Sequence, residues 1–293
     1  MVASGIQIPA LVPWTDFLPV SLLCDNFIEI FLAMVIRTFP VDAALTPYVK
    51  EICIMEIAAA GVPGMRVLPD TCIEIFIRYV SSPLATVNGK HLSRSLVTSR
   101  MNSFMDSQME AGSGCIAVCF HPGAARHFFT TPLKNFNGLA IELHEVWKDA
   151  NELEEKLSSA KDNEAHALIL QQHLLVKLHE NYCRDETVTH CLWQLNLHRG
   201  SLNAQQLADG VGLSRRQLSR RFNDHIGMAP KEFARVNRFI HSLKQLKKYP
   251  ALSLTKIAYE SGYYDQAHFI HDYKEFSGMT PGELLECPDI VYC

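Results

Sequence analysis

The chain has 293 residues, of which 48% are hydrophobic and 20% are charged. This composition is typical of a globular protein, and the length fits two domains of ordinary size. The formal net charge of −4 excludes a chain coated throughout in basic residues. The charge is uneven, however, because residues 200–286 hold 12 basic against 9 acidic residues, while residues 1–199 hold 15 against 21. This asymmetry gives weak support to a nucleic-acid-binding segment at the C-terminal end.

The nine cysteines include no CxxC pair. That spacing is typical of reduced thiols in a cytoplasmic protein and not of a disulfide framework. The apolar stretch Phe27–Ile36 contains Glu29 and is about half as long as the roughly 20 residues that a membrane-spanning helix needs. It also lacks the basic segment of a signal peptide, so we predict no membrane association. Residues 1–40 carry four prolines without a clear period and are predicted to be an extension of unassigned structure.

Residues 41–182 show two kinds of apolar pattern in succession. Ile73–Tyr79 alternates and is rich in β-branched and aromatic residues, which predicts a strand. Cys115–Phe120 is a short apolar run that ends at a His-Pro-Gly turn, which predicts a buried strand. Residues 140–180 have helical spacing, with a polar break at residues 161–163. The sequence therefore predicts a β-rich domain with trailing helices.

The C-terminal part contains an internal repeat. The first copy contains Leu207, Ala208, Gly212, Leu218, Phe222 and the segment GMAPKEF at 227–233. The second copy contains Ile257, Ala258, Gly262, Phe269, Tyr273 and the segment GMTPGEL at 278–284. Each copy has the parts of a helix-turn-helix, with a glycine at the turn and helix-capping residues at Asn203, Ser214, Ser253 and Asp265. An amphipathic stretch between the copies predicts one long connecting helix.

The predicted second helix of each copy has an outward face that can meet a DNA groove. In the first copy, Arg216, Ser219, Arg220 and Asn223 lie opposite the apolar face. Arginine can bind guanine through two hydrogen bonds, and asparagine can bind adenine in the same way. The full predicted DNA-binding set is Arg215, Arg216, Gln217, Ser219, Arg220, Asn223, Gln266, Ala267, His268, His271 and Lys274.

Two segments, LADGVGLSRRQLSRRFNDHIGMAPKEFARVNRF and IAYESGYYDQAHFIHDYKEFSGMTPGEL, carry a specific resemblance. Through them, residues 185–286 resemble the DNA-binding domain of the AraC/XylS family of bacterial transcription regulators. The resemblance implies two helix-turn-helix units, bridged by a long helix, that read successive major grooves on one face of DNA. It implies base contacts from Arg216, Ser219 and Arg220, and from Gln266, Ala267 and His271. The family often has arginine where His271 stands, which weakens the base reading expected of the second unit.

Residues 45–180 resemble, less specifically, a sensor-like domain of uncharacterised function that precedes this DNA-binding domain. The matching segments are LTPYVKEI, VLPDTCIEIFI and CIAVCFHPGAARHFFTTPL. The resemblance implies a regulatory module with a β-rich half followed by helices, and it names no ligand.

The predicted fold class is α+β, with a β-rich N-terminal regulatory domain and trailing helices before an all-α domain of two helix-turn-helix units joined by a long helix. The predicted segments are residues 1–40 (extension), 41–182 (regulatory domain), 185–286 (DNA-binding domain) and 287–293 (tail). We predict a non-enzymatic, sequence-specific transcription regulator, modulated by an effector or by dimerisation. Double-stranded DNA is the predicted partner, and RNA polymerase, a small-molecule effector and a second copy of the chain are candidates. No cofactor, metal or catalytic residue is predicted.

An alternative is a DNA-binding protein whose N-terminal domain carries redox or metal-dependent chemistry. The residues that raise this alternative are Cys72, Cys115, Cys119, His121 and the carboxylate pair Asp70 and Glu74. Buried cysteines and a turn aspartate account for them more simply, because zinc needs three or four closely spaced ligands. A further alternative is that residues 1–180 only dimerise the protein.

Overall fold

The alternating apolar residues of the N-terminal half form two β-sheets. The computed structural model describes residues 34–58, 64–80, 85–98, 103–136, 140–183, 185–287 and 290–291. Its strands are β1 (Met34–Phe39), β2 (Val49–Ile57), β3 (Met65–Val67), β4 (Glu74–Arg78), β5 (Ala85–Val87), β6 (Lys90–Leu92), β7 (Leu96–Thr98), β8 (Met105–Met109), β9 (Gly114–Phe120), β10 (Ala140–Glu142) and β11 (Ile290–Val291).

The first sheet has the strand order β1-β2-β9-β4-β7-β10, and its neighbouring strands are all antiparallel. The second sheet has the order β11-β3-β8-β5-β6, with β11 parallel to β3. The predicted strands at Ile73–Tyr79 and Cys115–Phe120 are confirmed as β4 and β9. These two strands pair in the centre of the first sheet, where Ile75 lies opposite Val118.

Strand β9 is buried on both faces, since all seven of its residues are buried. Ile116, Val118 and Phe120 belong to a core shared with the trailing helices. Cys115, on the other face, belongs to a cluster that fills the space between the two sheets. A strand covered on both faces has no solvent side, so its sequence is a continuous apolar run without alternation.

Helices follow the sheets. They are α1 (Ala150–Ser158), α2 (Asn163–Asn181), α3 (Glu186–Leu197), α4 (Ala204–Gly210), α5 (Arg215–Ile226), α6 (Pro230–Lys248), α7 (Leu254–Glu260), α8 (Gln266–Ser277) and α9 (Pro281–Glu286). The predicted break at residues 161–163 is confirmed, because Asp162 caps α2 by accepting a hydrogen bond from the backbone of Ala165. The helical prediction begins too early, however. Residues 140–142 form strand β10, which pairs with β7.

The ends of the chain also differ from expectation. Residues 34–39, predicted to lie in an unassigned extension, form the edge strand β1, with Met34 opposite Ile57. The predicted boundary at residue 41 therefore cuts between two paired strands. Residues 1–33, with most of the apolar stretch before β1, lie outside the described residues. In the predicted tail, residues 290–291 pair with β3. Among the described residues, none of the helices combines the length and apolar character needed to cross a bilayer.

Helix α6 joins the two C-terminal units by contributing to both of their cores. Phe233 near its start packs with Leu218 and Phe222 of the first unit. Phe239 and Leu243, further along, pack in the cluster of the second unit. A single helix that is buried in both cores fixes the spacing between the units. The predicted α+β class, with two helix-turn-helix units on a long helix, is confirmed.

Candidate nucleic-acid interface

Helix α5 is the second helix of the first unit, and local signals in the sequence define both of its ends. Ser214 and Gln217 form a capping box, in which the Gln217 backbone N–H donates to Ser214 Oγ at 3.3 Å and the Ser214 N–H donates to Gln217 Oε1 at 2.9 Å. Gly212 turns the chain into α5 with φ +66°, and Gly227 ends the helix with φ +85°. The predicted caps at Asn203, Ser214, Ser253 and Asp265 are all confirmed.

The outward face of α5 forms one wall of a cleft, which we call the α5 cleft. Its lining residues are Lys134, Ser214, Arg216, Gln217, Ser219, Arg220, Asn223 and Asp224. The structure therefore brings together Arg216, Ser219, Arg220 and Asn223, as the helical wheel predicted. Arg215 is exposed but does not line this cleft, and the side-chain oxygen of Gln217 is engaged in the cap.

Arg221 holds α5 in place without facing the cleft. Its guanidinium group donates to Asp185, which caps α3, at 3.3 Å. It also donates to Thr187 Oγ1 at 3.2 Å. These contacts fix the recognition helix of the first unit against α3.

Helix α8 is the corresponding helix of the second unit. Asp265 caps it by accepting a hydrogen bond from the His268 backbone at 2.7 Å. The side-chain oxygen of Gln266 accepts a hydrogen bond from Thr255 of α7 at 2.7 Å, which orients the Gln266 amide. Ala267, His268 and Lys274 are exposed, and the side chain of His271 is 71% exposed.

The outward face of α8 also carries a charge that the sequence analysis missed. Glu275 is exposed, and its Oε2 lies 3.7 Å from Nδ1 of His271. A hydrogen bond from Arg235 lowers the pKa of Glu275, so this side chain is anionic at neutral pH. The i, i+4 spacing of His271 and Glu275 is a sequence signal that could have revealed it.

Arg235 of α6 ties α8 to the long helix. Its Nη2 lies 2.6 Å from Asp272 Oδ1 and 2.6 Å from Glu275 Oε2. The Asp272 side chain is fully buried, so this ion pair neutralises a charge inside the domain. Nothing local in the sequence signals this contact between two helices.

His271, Asp272 and Glu275 also offer potential metal-ligand atoms within 4.8 Å of one another. Both carboxylates are already bound by the guanidinium group of Arg235. A cation placed among them would compete with that positive charge. The three side chains therefore belong to an ion-pair network with Arg235.

The N-terminal residues that raise the redox or metal-binding alternative occupy structural positions. Asp70 accepts a hydrogen bond from the Cys72 backbone at 2.9 Å, so it lies in a turn before β4 and does not share a strand face with Glu74. Burial raises the pKa of the Cys115 thiol and lowers the pKa of His121 to about 4, where Lys50 adds to the effect. A thiol with a raised pKa is a poor nucleophile at neutral pH.

Two family models match the chain. A model described as a helix-turn-helix domain matches residues 207–286, and a domain of unknown function (DUF6597) matches residues 37–142. The second match begins inside β1 and ends with β10, so it spans the first sheet from edge to edge.

Curated relatives match mainly at the C-terminal end. The chain is 35% identical over 83 residues to the HTH-type transcriptional regulator GlxA of Rhizobium meliloti, a match that covers 28% of this chain and 25% of the relative. It is 27% identical over 144 residues to the HTH-type transcriptional activator RhaS of Escherichia fergusonii, covering 46% of this chain and 51% of the relative. The chain thus spans a quarter to a half of the length of these relatives.

Two solved structures are among those similar to this chain. A transcriptional regulator of Chromobacterium violaceum with an AraC-type DNA-binding domain is 26% identical, with a TM-score of 0.31 over 33% of this chain and 88% of that chain. ToxT from Vibrio cholerae is 13% identical, with a TM-score of 0.43 over 87% of this chain and 98% of that chain.

The two capped units on one long helix, together with the matched segment, define the C-terminal part as a double helix-turn-helix domain. This domain is similar in sequence to part of the HTH-type regulators GlxA and RhaS, and it follows the segment of this chain that matches DUF6597.

Proposed function

We propose that this chain is a sequence-specific DNA-binding transcription regulator of the bacterial cytoplasm, without catalytic chemistry of its own. The α5 cleft is the observation that carries the proposal. Two guanidinium groups and one carboxamide, from Arg216, Arg220 and Asn223, converge there on a single surface. These are the groups that recognise guanine and adenine edges in a major groove. The names of the relatives, which are transcriptional regulators, support the same role.

We propose different roles in DNA recognition for the two helix-turn-helix units. The first unit reads bases through Arg216 and Arg220, while the second chiefly positions the protein on the phosphate backbone. His271 supports the second role, because an imidazole ring cannot present two parallel donors to one base edge and the carboxylate of Glu275 lies beside it. Lys274 is a compact charge on a flexible stem, which suits phosphate better than a base edge.

We propose residues 34–182 as the regulatory domain and residues 185–286 as the DNA-binding domain. The regulatory domain would act through a small-molecule effector or through a second copy of the chain. It contacts both helix-turn-helix units, through Lys134 at Asp224 and through Arg66 at the carbonyl oxygen of Ser277. These contacts support the role, since a shift in the regulatory domain would reach both recognition helices. RNA polymerase is a proposed further partner, because the relative RhaS is named a transcriptional activator.

The direct test is the salt dependence of DNA binding by the full chain and by residues 185–286. A protein that makes 6–10 phosphate contacts loses about 10³–10⁵ in affinity between 50 and 200 mM salt. We expect a loss of this order on a selected duplex, and weaker binding to a scrambled one. Equal affinity at both salt concentrations would contradict the proposal.

A further inference from the structure

A short turn of the N-terminal domain lies against the first recognition helix. This 3₁₀ turn, Leu133–Phe136, packs beside the C-terminal half of α5. The backbone approach is close at Gly227, where an added Cβ atom would lie 3.0 Å from the carbonyl oxygen of Leu133. The position of the turn is therefore fixed relative to α5 in this arrangement.

Lys134 projects from this turn towards the face of α5. Its Nζ lies 2.8 Å from Asp224 Oδ1, and its side chain remains 52% exposed. It lines the α5 cleft together with Arg216, Arg220 and Asn223, the residues expected to read bases. A side chain from the N-terminal domain thus lies on the surface that would face DNA.

The charges that line the α5 cleft indicate a role for Lys134 in binding an anionic group. Asp224 is the one acidic residue among those that line the cleft, and alone it would repel a phosphate group. The Lys134 ammonium group offsets this charge and still has N–H donors for a second acceptor. A flexible, hydrated ammonium suits phosphate, which carries charge but no sequence information.

We propose that the N-terminal domain contributes Lys134 to the DNA-binding surface, as a phosphate contact beside the first recognition helix. The inference rests on the proposed function, because it assumes that α5 enters a major groove. The group that binds beside Lys134 is the DNA backbone along the edge of that groove. The α5 cleft carries three cationic side chains against one carboxylate, which complements the negative charge of the phosphates. DNA affinity then depends on where the N-terminal domain sits.

The test uses the full chain and its variants K134Q, K134R, D224N and K134Q/D224N. K90Q is the matched control, because Lys90 is an exposed lysine on the second sheet. Affinity is measured from 50 to 200 mM salt on a duplex selected by the wild type and on a scrambled duplex. Each phosphate contact contributes about 0.9 to the slope of log affinity against log salt. We expect K134Q to reduce the magnitude of this negative slope by about that amount. We also expect it to weaken binding to both duplexes by the same factor.

The other variants give the proposal its controls. K134R and K90Q should keep the wild-type slope, and K134Q/D224N should regain affinity but not slope. The inference is overturned if K134Q keeps the wild-type slope, if it binds more tightly, or if D224N restores the slope in the K134Q background. The last result would mean that Lys134 only neutralises Asp224. A wild-type chain without salt-dependent binding would instead overturn the proposed function itself.

Discussion

At the scale of single residues, the two recognition helices differ in what their outward side chains can distinguish. Arg216 and Arg220 present planar groups that can make two parallel hydrogen bonds to one base, and such a pair discriminates by about 1–3 kcal/mol. On α8, His271 has no comparable geometry and lies 3.7 Å from the carboxylate of Glu275. Base specificity should therefore reside mainly in the first unit.

Replacing Arg220 and His271 separately tests this difference. Arg220→Ala should relax base preference at one or two positions of the site, at a cost of about 1–3 kcal/mol for the preferred base. His271→Ala should weaken binding less and more evenly across sequences. Both variants are compared by selection from a randomised duplex pool in the same salt. A sharp preference that disappears with His271→Ala and survives Arg220→Ala would reverse the roles.

Glu275 offers a second test at this scale. Glu275→Gln removes a negative charge from the outward face of α8, while Arg235 keeps its bond to Asp272. We expect tighter binding to all duplexes, by about 0.2–1 kcal/mol, the usual size of an exposed charge effect. Glu286→Gln, at an exposed position on α9, is the control. Weaker binding by Glu275→Gln would show that the carboxylate has a favourable role at the interface.

At the scale of elements, α8 keeps its position through a buried charge. Asp272 is fully buried, and removing its partner Arg235 leaves that carboxylate with only His268, at 3.7 Å, beside it, at a cost of about 3 kcal/mol. We expect Arg235→Ala to lower by that amount the opening free energy of amides in Gln266–Ser277, measured by native-state hydrogen exchange. The double variant Arg235→Ala/Asp272→Asn should recover part of the loss. Unchanged exchange in Arg235→Ala would contradict a stabilising ion pair.

Elements whose signals are local could be predicted from the sequence, and those that depend on distant partners could not. The caps, glycine turns and apolar faces of the repeat lie within a few residues of one another, so both helix-turn-helix units were predicted. Strand β10 was assigned to a helix because its partner β7 lies in a distant segment. Lys134 was missed for the same reason, since only the folded chain brings it to Asp224.

At the scale of the whole molecule, the N-terminal domain touches both units at equivalent points of the repeat. Gly227 lies against the turn that contains Leu133, and an atom added at Gly278 would lie 2.9 Å from Arg66 of β3. Arg66 also donates a hydrogen bond to the carbonyl oxygen of Ser277 at 3.2 Å. Each Gly-Met-x-Pro segment therefore ends a recognition helix and also provides a contact site between the domains.

Two alanine variants isolate this contact. Gly212 and Gly227 both have positive φ, so each alanine substitution carries a backbone cost of about 1–2 kcal/mol. A Cβ atom at Gly212 meets nothing within 4 Å, whereas one at Gly227 presses on the backbone of Leu133. We expect Gly227→Ala to lower the thermal unfolding midpoint more than Gly212→Ala. Equal shifts would argue that the domain contact adds nothing to stability.

A second copy of the chain is the other whole-molecule prediction. Helix α2 exposes 58% of Leu168 and 55% of Val176, two turns apart on one face. Such residues can pack against the same helix of a partner. We expect the wild type to sediment as a dimer at high concentration and Leu168→Glu/Val176→Glu to sediment as a monomer. A wild type that stays monomeric at all concentrations would contradict dimerisation through α2, and α2 would then only cover the core of its own domain.

In the proposed mode of binding, this chain recognises DNA through two unequal helix-turn-helix units on one face of the duplex. Selection by the full chain from a randomised duplex pool, followed by footprinting of the enriched site, tests it most directly. We expect a sharp half-site and a weaker one, protected on the same face about one helical turn of 10–10.5 base pairs apart. A pool without enrichment, or protection confined to one groove, would contradict this mode of binding.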